Sequence, residues 1–187
     1  LKTIREGQIG SFMSMVCNYS WNLANGHSHT LSLFRQFADS PAKWVFGRMN
    51  SDEAAKTDKD LSGNGMIYYE NGIQGFLNSG GWLNIDFIGK DGWISARNEH
   101  ADFEFWSRHP STREPIRRQF PNPKRPKSSQ QAAIEGLVEN LREGTTPLCP
   151  GEYGREALEI AIGLRESHRR GGQKIDLPLA DRSLSLG

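Results

Sequence analysis

The sequence predicts an α+β domain, a mostly antiparallel open sheet with helices gathered on one face. Three observations lead there. Strand-like runs at 66–70, 73–78, 82–88 and 93–97 follow one another, separated by Asn71-Gly72, Gly80-Gly81 and Asp91-Gly92, dipeptides that supply the positive φ angles tight turns demand. A strand-to-helix unit precedes this meander, and two helical stretches follow it. Segregated strands and helices of this kind form α+β domains.

In chain order, Leu1 and Ile4 lie three apart ahead of Gly7, as in the last turn of a helix and its terminating glycine. From Phe12 to Trp21, Met13, Met15, Cys17 and Tyr19 alternate with Ser14, Val16, Asn18 and Ser20, the period of two that marks a strand. Asn22–Ser28 reads as a polar loop. Across 29–38, Leu31, Phe34 and Phe37 recur at helical spacing, Leu33 widens the stripe, and Ser28 is placed to cap the helix. Pro41 ends it, Trp44–Met49 reads as a second strand, and the charged run 51–60 as a surface loop.

Beyond the meander, Phe103–Trp106 suits a further strand, with Asp102 and Glu104 facing solvent. The basic stretch 108–127 has no periodicity and reads as a solvated loop or an inter-subunit arm; of the interleaved aromatics that nucleic-acid binding requires it has only Phe120. Ser128-x-x-Gln131 forms a capping box ahead of Ile134, Leu137, Val138 and Leu141 on one helical face, and Gly144 ends that helix. A last helix, about 154–169, turns Ala157, Leu158, Ala161 and Leu164 inward and stops at Gly171-Gly172, before an extended exit at 175–179. Trp82, Phe87 and Trp93 fall in the sheet, and alternation does not put them all on one side. The face away from the helices is therefore expected to meet a partner.

The 187 residues suit one domain. An apolar content of 36% and a mean hydropathy of −0.63 are low for a compact core, so some segments are expected to be exposed or to be ordered by a partner. A net charge of +1 provides no global field for nucleic acid or an anionic membrane. No apolar run approaches the ~20 residues of a membrane span. The two cysteines, Cys17 and Cys149, match no metal-ligand spacing, and so few suggest a reducing compartment. The expected location is the cytoplasm, with any leader upstream of Leu1 outside this sequence.

Chemistry concentrates in Trp21-Asn22-Leu23-Ala24-Asn25-Gly26-His27-Ser28-His29, which joins a strand to a helix start. Backbone N–H groups and the helix dipole point outward from such a junction. Imidazoles and carboxamides there can orient a hydroxylated substrate and move a proton near neutral pH. Three roles stay open for the histidines. His29 can be a first-turn helix residue bonded to a neighbouring carbonyl. His27 and His29 can be metal ligands, although no Cys, Asp or Glu lies nearby in sequence. Either can contact substrate or move a proton. His100, His109 and His168 have no comparable setting and read as surface residues.

The opening Leu-Lys-Thr-Ile-Arg-Glu-Gly-Gln-Ile run, the last third from Gly154 to Leu179, and the Asn25-Gly-His-Ser-His29 segment together resemble the C-terminal half of the Gfo/Idh/MocA dehydrogenases, the glucose–fructose oxidoreductase and inositol dehydrogenase group. The resemblance covers nearly the whole chain. Asn71-Gly72 and Gly89-Lys90-Asp91-Gly92 are consistent with it. It implies a C-terminal substrate-binding and oligomerisation domain over residues 1–187, with homo-oligomers formed through the sheet. It further implies hydride transfer between NAD or NADP and a sugar, cyclitol or polyol. His29 falls on the family's catalytic histidine. Asn25, His27, Trp21 and Asn22 are then the expected substrate contacts, and no metal is involved. Asn25 replaces the family's Asp, and Ser32 a following Asp, which departs from the usual proton relay. No Gly-x-Gly-x-x-Gly turn is present, so the cofactor is expected on an N-terminal nucleotide-binding domain outside this chain, without which the chain is inactive. Alternatives from other classes are a non-catalytic binding or assembly module of the same fold and an NAD-dependent glycosidase of the same family.

Overall fold

The computed structural model describes residues 1–119 and 127–186. A single helical turn, α1 (Lys2–Arg5), leads into β1 (Phe12–Asn18), α2 (His27–Ala38) and β2 (Ala42–Met49). Strands β3 (Gly63–Tyr69), β4 (Gln74–Asn78), β5 (Asn84–Gly89), β6 (Gly92–Arg97), β7 (Asp102–Arg108) and β8 (Pro115–Arg118) follow. The chain ends with α3 (Ser129–Glu143), α4 (Gly151–Arg169) and the two-residue β9 (Ile175–Asp176). Among the described residues the strands form one sheet in the order β8-β7-β6-β5-β1-β4-β3-β2-β9. Every pairing in it is antiparallel except that of β1 with β4. This is the expected α+β architecture with one change of topology. The meander is interrupted, because β1 lies between β4 and β5, and Gly80-Gly81 serves a crossover where a hairpin was expected.

Alternation along the strands assigns their faces. Met15, Cys17, Val45, Ile67, Leu77, Ile85, Phe87 and Ile94 are buried toward the helices. Two close approaches set the helix positions. A Cβ on Gly47 would lie 2.2 Å from the Leu164 carbonyl oxygen, and one on Gly65 2.6 Å from the Leu164 side chain, so α4 crosses β2 and β3 where side chains are absent. Phe34 of α2 fills the corresponding space above Gly75 in β4, and Phe37 stacks on Phe87 at 4.3 Å. Phe87 therefore belongs to the core. Trp82 lies just before β5 and is exposed, and only Trp93 of the three lies on the uncovered face.

Several local expectations change. The strand β1 stops at Asn18, and α2 starts at His27, two residues early, with Gly26 as its N-cap. Ser28 lies inside the helix and donates to the Asn25 carbonyl instead of capping. Ser128 caps α3, its Oγ accepting from Gln131 N–H at 3.2 Å, but the Gln131 side chain donates to Glu135 at 2.9 Å instead of closing the box. Gly144 ends α3 in the left-handed conformation. Yet α3 has no buried residue: Ile134, Leu137, Val138 and Leu141 stand exposed. In α4 the inward residues are Ala157, Ile160, Ala161 and Leu164, while Leu158 faces out. The basic stretch contains β8, and Phe120 lies outside the described residues.

Charged groups are also buried in α4. The Arg165 guanidinium has almost no exposed surface and contacts the Glu166 carboxylate and Asp58. Arg169 donates to the carbonyls of Ala55 and Thr57 at 2.6 and 2.8 Å. His168 is no surface residue: its Nδ1 accepts from Met49 N–H at 3.2 Å and its Nε2 lies 3.3 Å from Asp52. Together these contacts clamp the loop between β2 and β3 onto α4. Pairing with carbonyls and carboxylates is what makes burial of such groups tolerable.

Candidate functional site

The candidate site is the turn between β1 and α2, where every amide from residue 23 to residue 27 finds an acceptor. Leu23 N–H donates to the Leu61 carbonyl at 2.9 Å. Ala24 and Asn25 N–H donate to the two carboxylate oxygens of Asp60, each at 2.8 Å. Gly26 and His27 N–H both reach the Asn22 carbonyl, at 3.1 and 2.9 Å. Five successive amides, the last that of the first helical residue, are therefore satisfied.

This turn presents His29 and hides His27. Two residues on a helix are separated by about 200°, so the pair cannot share a face. His29 is exposed in the first turn of α2, and its ring lies 6.2 Å from that of Trp21. Trp21 packs edge-on against Tyr19 at 5.0 Å and is 38% exposed. Asn22 and Asn25 are exposed on the same turn, and the Asn25 carboxamide has no hydrogen-bond partner among the described residues. The result is an imidazole beside an aromatic face and carboxamides, a set suited to a polyhydroxylated ligand.

His27 has no exposed surface. Its Nδ1 lies 3.4 Å from Thr30 Oγ1, which in turn meets the Cys17 thiol at 3.7 Å. Burial holds its pKa below the ordinary value, against the smaller opposing pull of the Tyr19 carbonyl and the Asp60 charge. The expectation that His27 touches substrate is corrected on that ground: it lies beneath the turn and supports it. Among the described residues no three His, Cys, Asp or Glu side chains converge.

Asp60 is the residue that sequence reasoning missed. It belongs to the charged run taken for a surface loop, 35 positions from the amide of Asn25. No local pattern signals such a contact. Asp102 and Glu104 share the face away from the helices, where Glu104 lies 3.7 Å from Arg117.

Neither the family models nor the curated proteins include a match to this chain. Solved structures do match in fold. A NAD-binding protein from Listeria innocua superposes with a TM-score of 0.71 at 15% identity, covering 94% of this chain and 58% of its own. The aldose-aldose oxidoreductase from Caulobacter crescentus, complexed with glycerol, gives 0.70 at 15%, with the same coverage. The WlbA dehydrogenase from Bordetella pertussis, in complex with NADH and UDP-GlcNAcA, gives 0.70 at 16%, covering 95% of this chain and 58% of its own. The likeness of this chain to these NAD-binding and oxidoreductase structures is one of fold. The chain spans 58% of the length of each of these structures. No helix among the described residues is long and apolar enough to cross a membrane.

Proposed function

We propose that this chain is the substrate-binding and assembly domain of an NAD(P)-dependent oxidoreductase acting on a sugar, cyclitol or polyol. The observation that carries the proposal is His29, held exposed beside Trp21 at the start of α2, in a fold shared with NAD-binding oxidoreductases. His29 accepts the proton of a substrate hydroxyl as the carbon bearing it is oxidised, within the range of roles an imidazole fills near neutral pH. Asn22 and Asn25 hydrogen-bond neighbouring hydroxyls, and the indole of Trp21 covers an apolar face of the ring. The hydride acceptor is NAD or NADP. No Gly-rich turn in the sequence suits its phosphates, so the cofactor is assigned to a separate nucleotide-binding domain and no residue here is assigned to hold it.

The uncovered face of the sheet supports self-association. Trp44 stacks on Tyr68 at 4.8 Å, Trp93 stacks on Trp106 at 5.8 Å, and Phe46 and Trp93 are each 38% exposed. The charges among them are already paired, Arg97 with Asp86 at 2.7 Å. A second copy packed there buries aromatics without stranding a charge. The same proposal places the protein in the cytoplasm.

The test is activity of the protein joined to its nucleotide-binding domain, over a panel of sugars and polyols. Reduction of NAD(P) is expected, with a fall in kcat/KM of about 10²-fold or more in His29→Ala. An unchanged kcat/KM in that variant removes His29 from the chemistry. Inactivity across the panel favours a non-catalytic module, in keeping with Asn25 in place of an acid. Release of free sugar without net NADH favours a glycosidase. Sedimentation of the chain tests assembly, with Phe46→Lys and Trp93→Lys expected to dissociate it.

A further inference from the structure

We propose that Asp60 is the positioning residue of this site. The inference rests on the assignment of His29 above, but its geometry is independent of any reaction. Of the five amides in the turn at 23–27, three find backbone carbonyls, and the remaining two are both held by the one carboxylate of Asp60. Charge-assisted bonds of this length are about twice as strong as neutral ones. Two such bonds to adjacent amides define the direction in which the chain enters α2. That direction sets where His29 and Trp21 face each other.

Asp60 is itself fixed from behind. Arg169 holds the carbonyls of Ala55 and Thr57, and Arg165 lies 3.4 Å from the Thr57 carbonyl and from Asp58. On the other side, Asn50 N–H donates to the Ser62 carbonyl at 3.1 Å, and Asn22 bridges to Ser62. The loop between β2 and β3 is thus an anchored arm with Asp60 near its end. The site is built by two segments distant in sequence, one carrying the chemistry and the other fixing its orientation.

An isosteric Asp60→Asn keeps the volume but offers one acceptor to two donors, and turns an NH₂ toward the second amide. In NMR spectra of the chain, amide exchange at Ala24 and Asn25 is expected to accelerate at least tenfold. The ring resonances of Trp21 and His29 are expected to shift, while exchange at the core amide of Ile67 does not change. Glu53→Gln, in the same loop but exposed and outside these contacts, is the control and leaves all of these as they are. Unmoved Trp21 and His29 resonances in Asp60→Asn overturn the proposal. A second measurement needs no variant: scalar coupling across the hydrogen bonds links the Ala24 and Asn25 nitrogens to the Asp60 carboxyl carbon. Both couplings are expected, and their absence alongside visible backbone couplings in β1 also overturns it. Neither readout involves cofactor or substrate, so a failure here is distinct from a failure of the His29 assignment.

Discussion

The indole of Trp21 lies so close to Gly26 that a Cβ on residue 26 would sit 2.0 Å from two of its ring carbons. Gly26 has φ −82°, so its need for glycine is steric and not conformational. The contact brings Trp21 against the N-cap of α2, and His29 leaves the helix one turn later. Gly26→Ala is therefore expected to expel the indole from this position. Overpacking of this kind costs about 1–3 kcal/mol when neighbours cannot move. Trp21 is partly exposed and can swing outward, so the stability loss should fall at the low end while the site is disrupted. The check pairs a urea titration with the Trp21 indole N–H resonance, and an unmoved resonance contradicts the packing described.

A second expectation concerns the C-terminal segment. Glu159 in α4 accepts from Leu179 N–H at 2.7 Å and from Arg182 at 2.6 Å, and its side chain is 9% exposed. One buried carboxylate thus holds the segment after β9 across the helix, where Leu179 joins the core. Glu159→Ala leaves the buried Leu179 N–H without a partner and is expected to destabilise by about 1–3 kcal/mol. Glu159→Gln keeps an acceptor for that amide and should cost less. Limited proteolysis near Arg182 reads the release directly, and equal cleavage of the two variants and the parent argues against the latch.

What the sequence makes legible is what local chemistry decides. Period-two runs and the Asn-Gly and Asp-Gly turns mark β3 through β6, and Ser128 and Gly144 mark the ends of α3, because each signal acts over a few residues. The insertion of β1 between β4 and β5 is a long-range pairing with no local signature. The same limit applies to Asp60, which meets its amides across 35 and 36 positions. Arg165 and Glu166 defeat helical periodicity for another reason: charges normally mark the outer face, and here carbonyls of the β2–β3 loop and neighbouring carboxylates compensate their burial. For the two histidines, the helix starts two residues earlier than expected, which brings His27 onto the buried stripe of Leu31 and Phe34 and leaves His29 outside it. Burial, which separates His29 from His27, is a property of the folded turn.

Burial of His27 couples stability to pH, and the sign follows from its direction of shift. The imidazole is held below its ordinary value in the fold, chiefly by desolvation, whereas the unfolded chain titrates near the usual value of about 6.5. Between those two values the unfolded state binds more protons, so stability falls as pH drops through that window. Asp60 and the Tyr19 carbonyl oppose the shift without reversing it. His27→Gln removes the titration and should flatten this part of the profile. Urea midpoints for both proteins between pH 7.5 and 5 provide the check. Parallel profiles would mean that His27 does not remain neutral in the fold.

The two thiols should differ sharply in reactivity. Cys17 is buried on β1 and its pKa is pushed up to about 11, mainly by desolvation and against the smaller effect of its Thr30 hydrogen bond. Cys149 is exposed ahead of α4. Thiolate is the reacting species, so a buried thiol with a raised pKa is protected twice, by access and by protonation. A disulfide-exchange reagent at pH 8 is expected to titrate one thiol promptly and the second only as the chain unfolds. Cys149→Ser should then leave no fast phase. Because Cys17 contacts Thr30 and Thr30 contacts His27, the slow phase also reports opening beneath the site. Asp60→Asn should accelerate it if loosening of the turn reaches β1, whereas a rate matching global unfolding in both proteins would confine the disturbance to the turn.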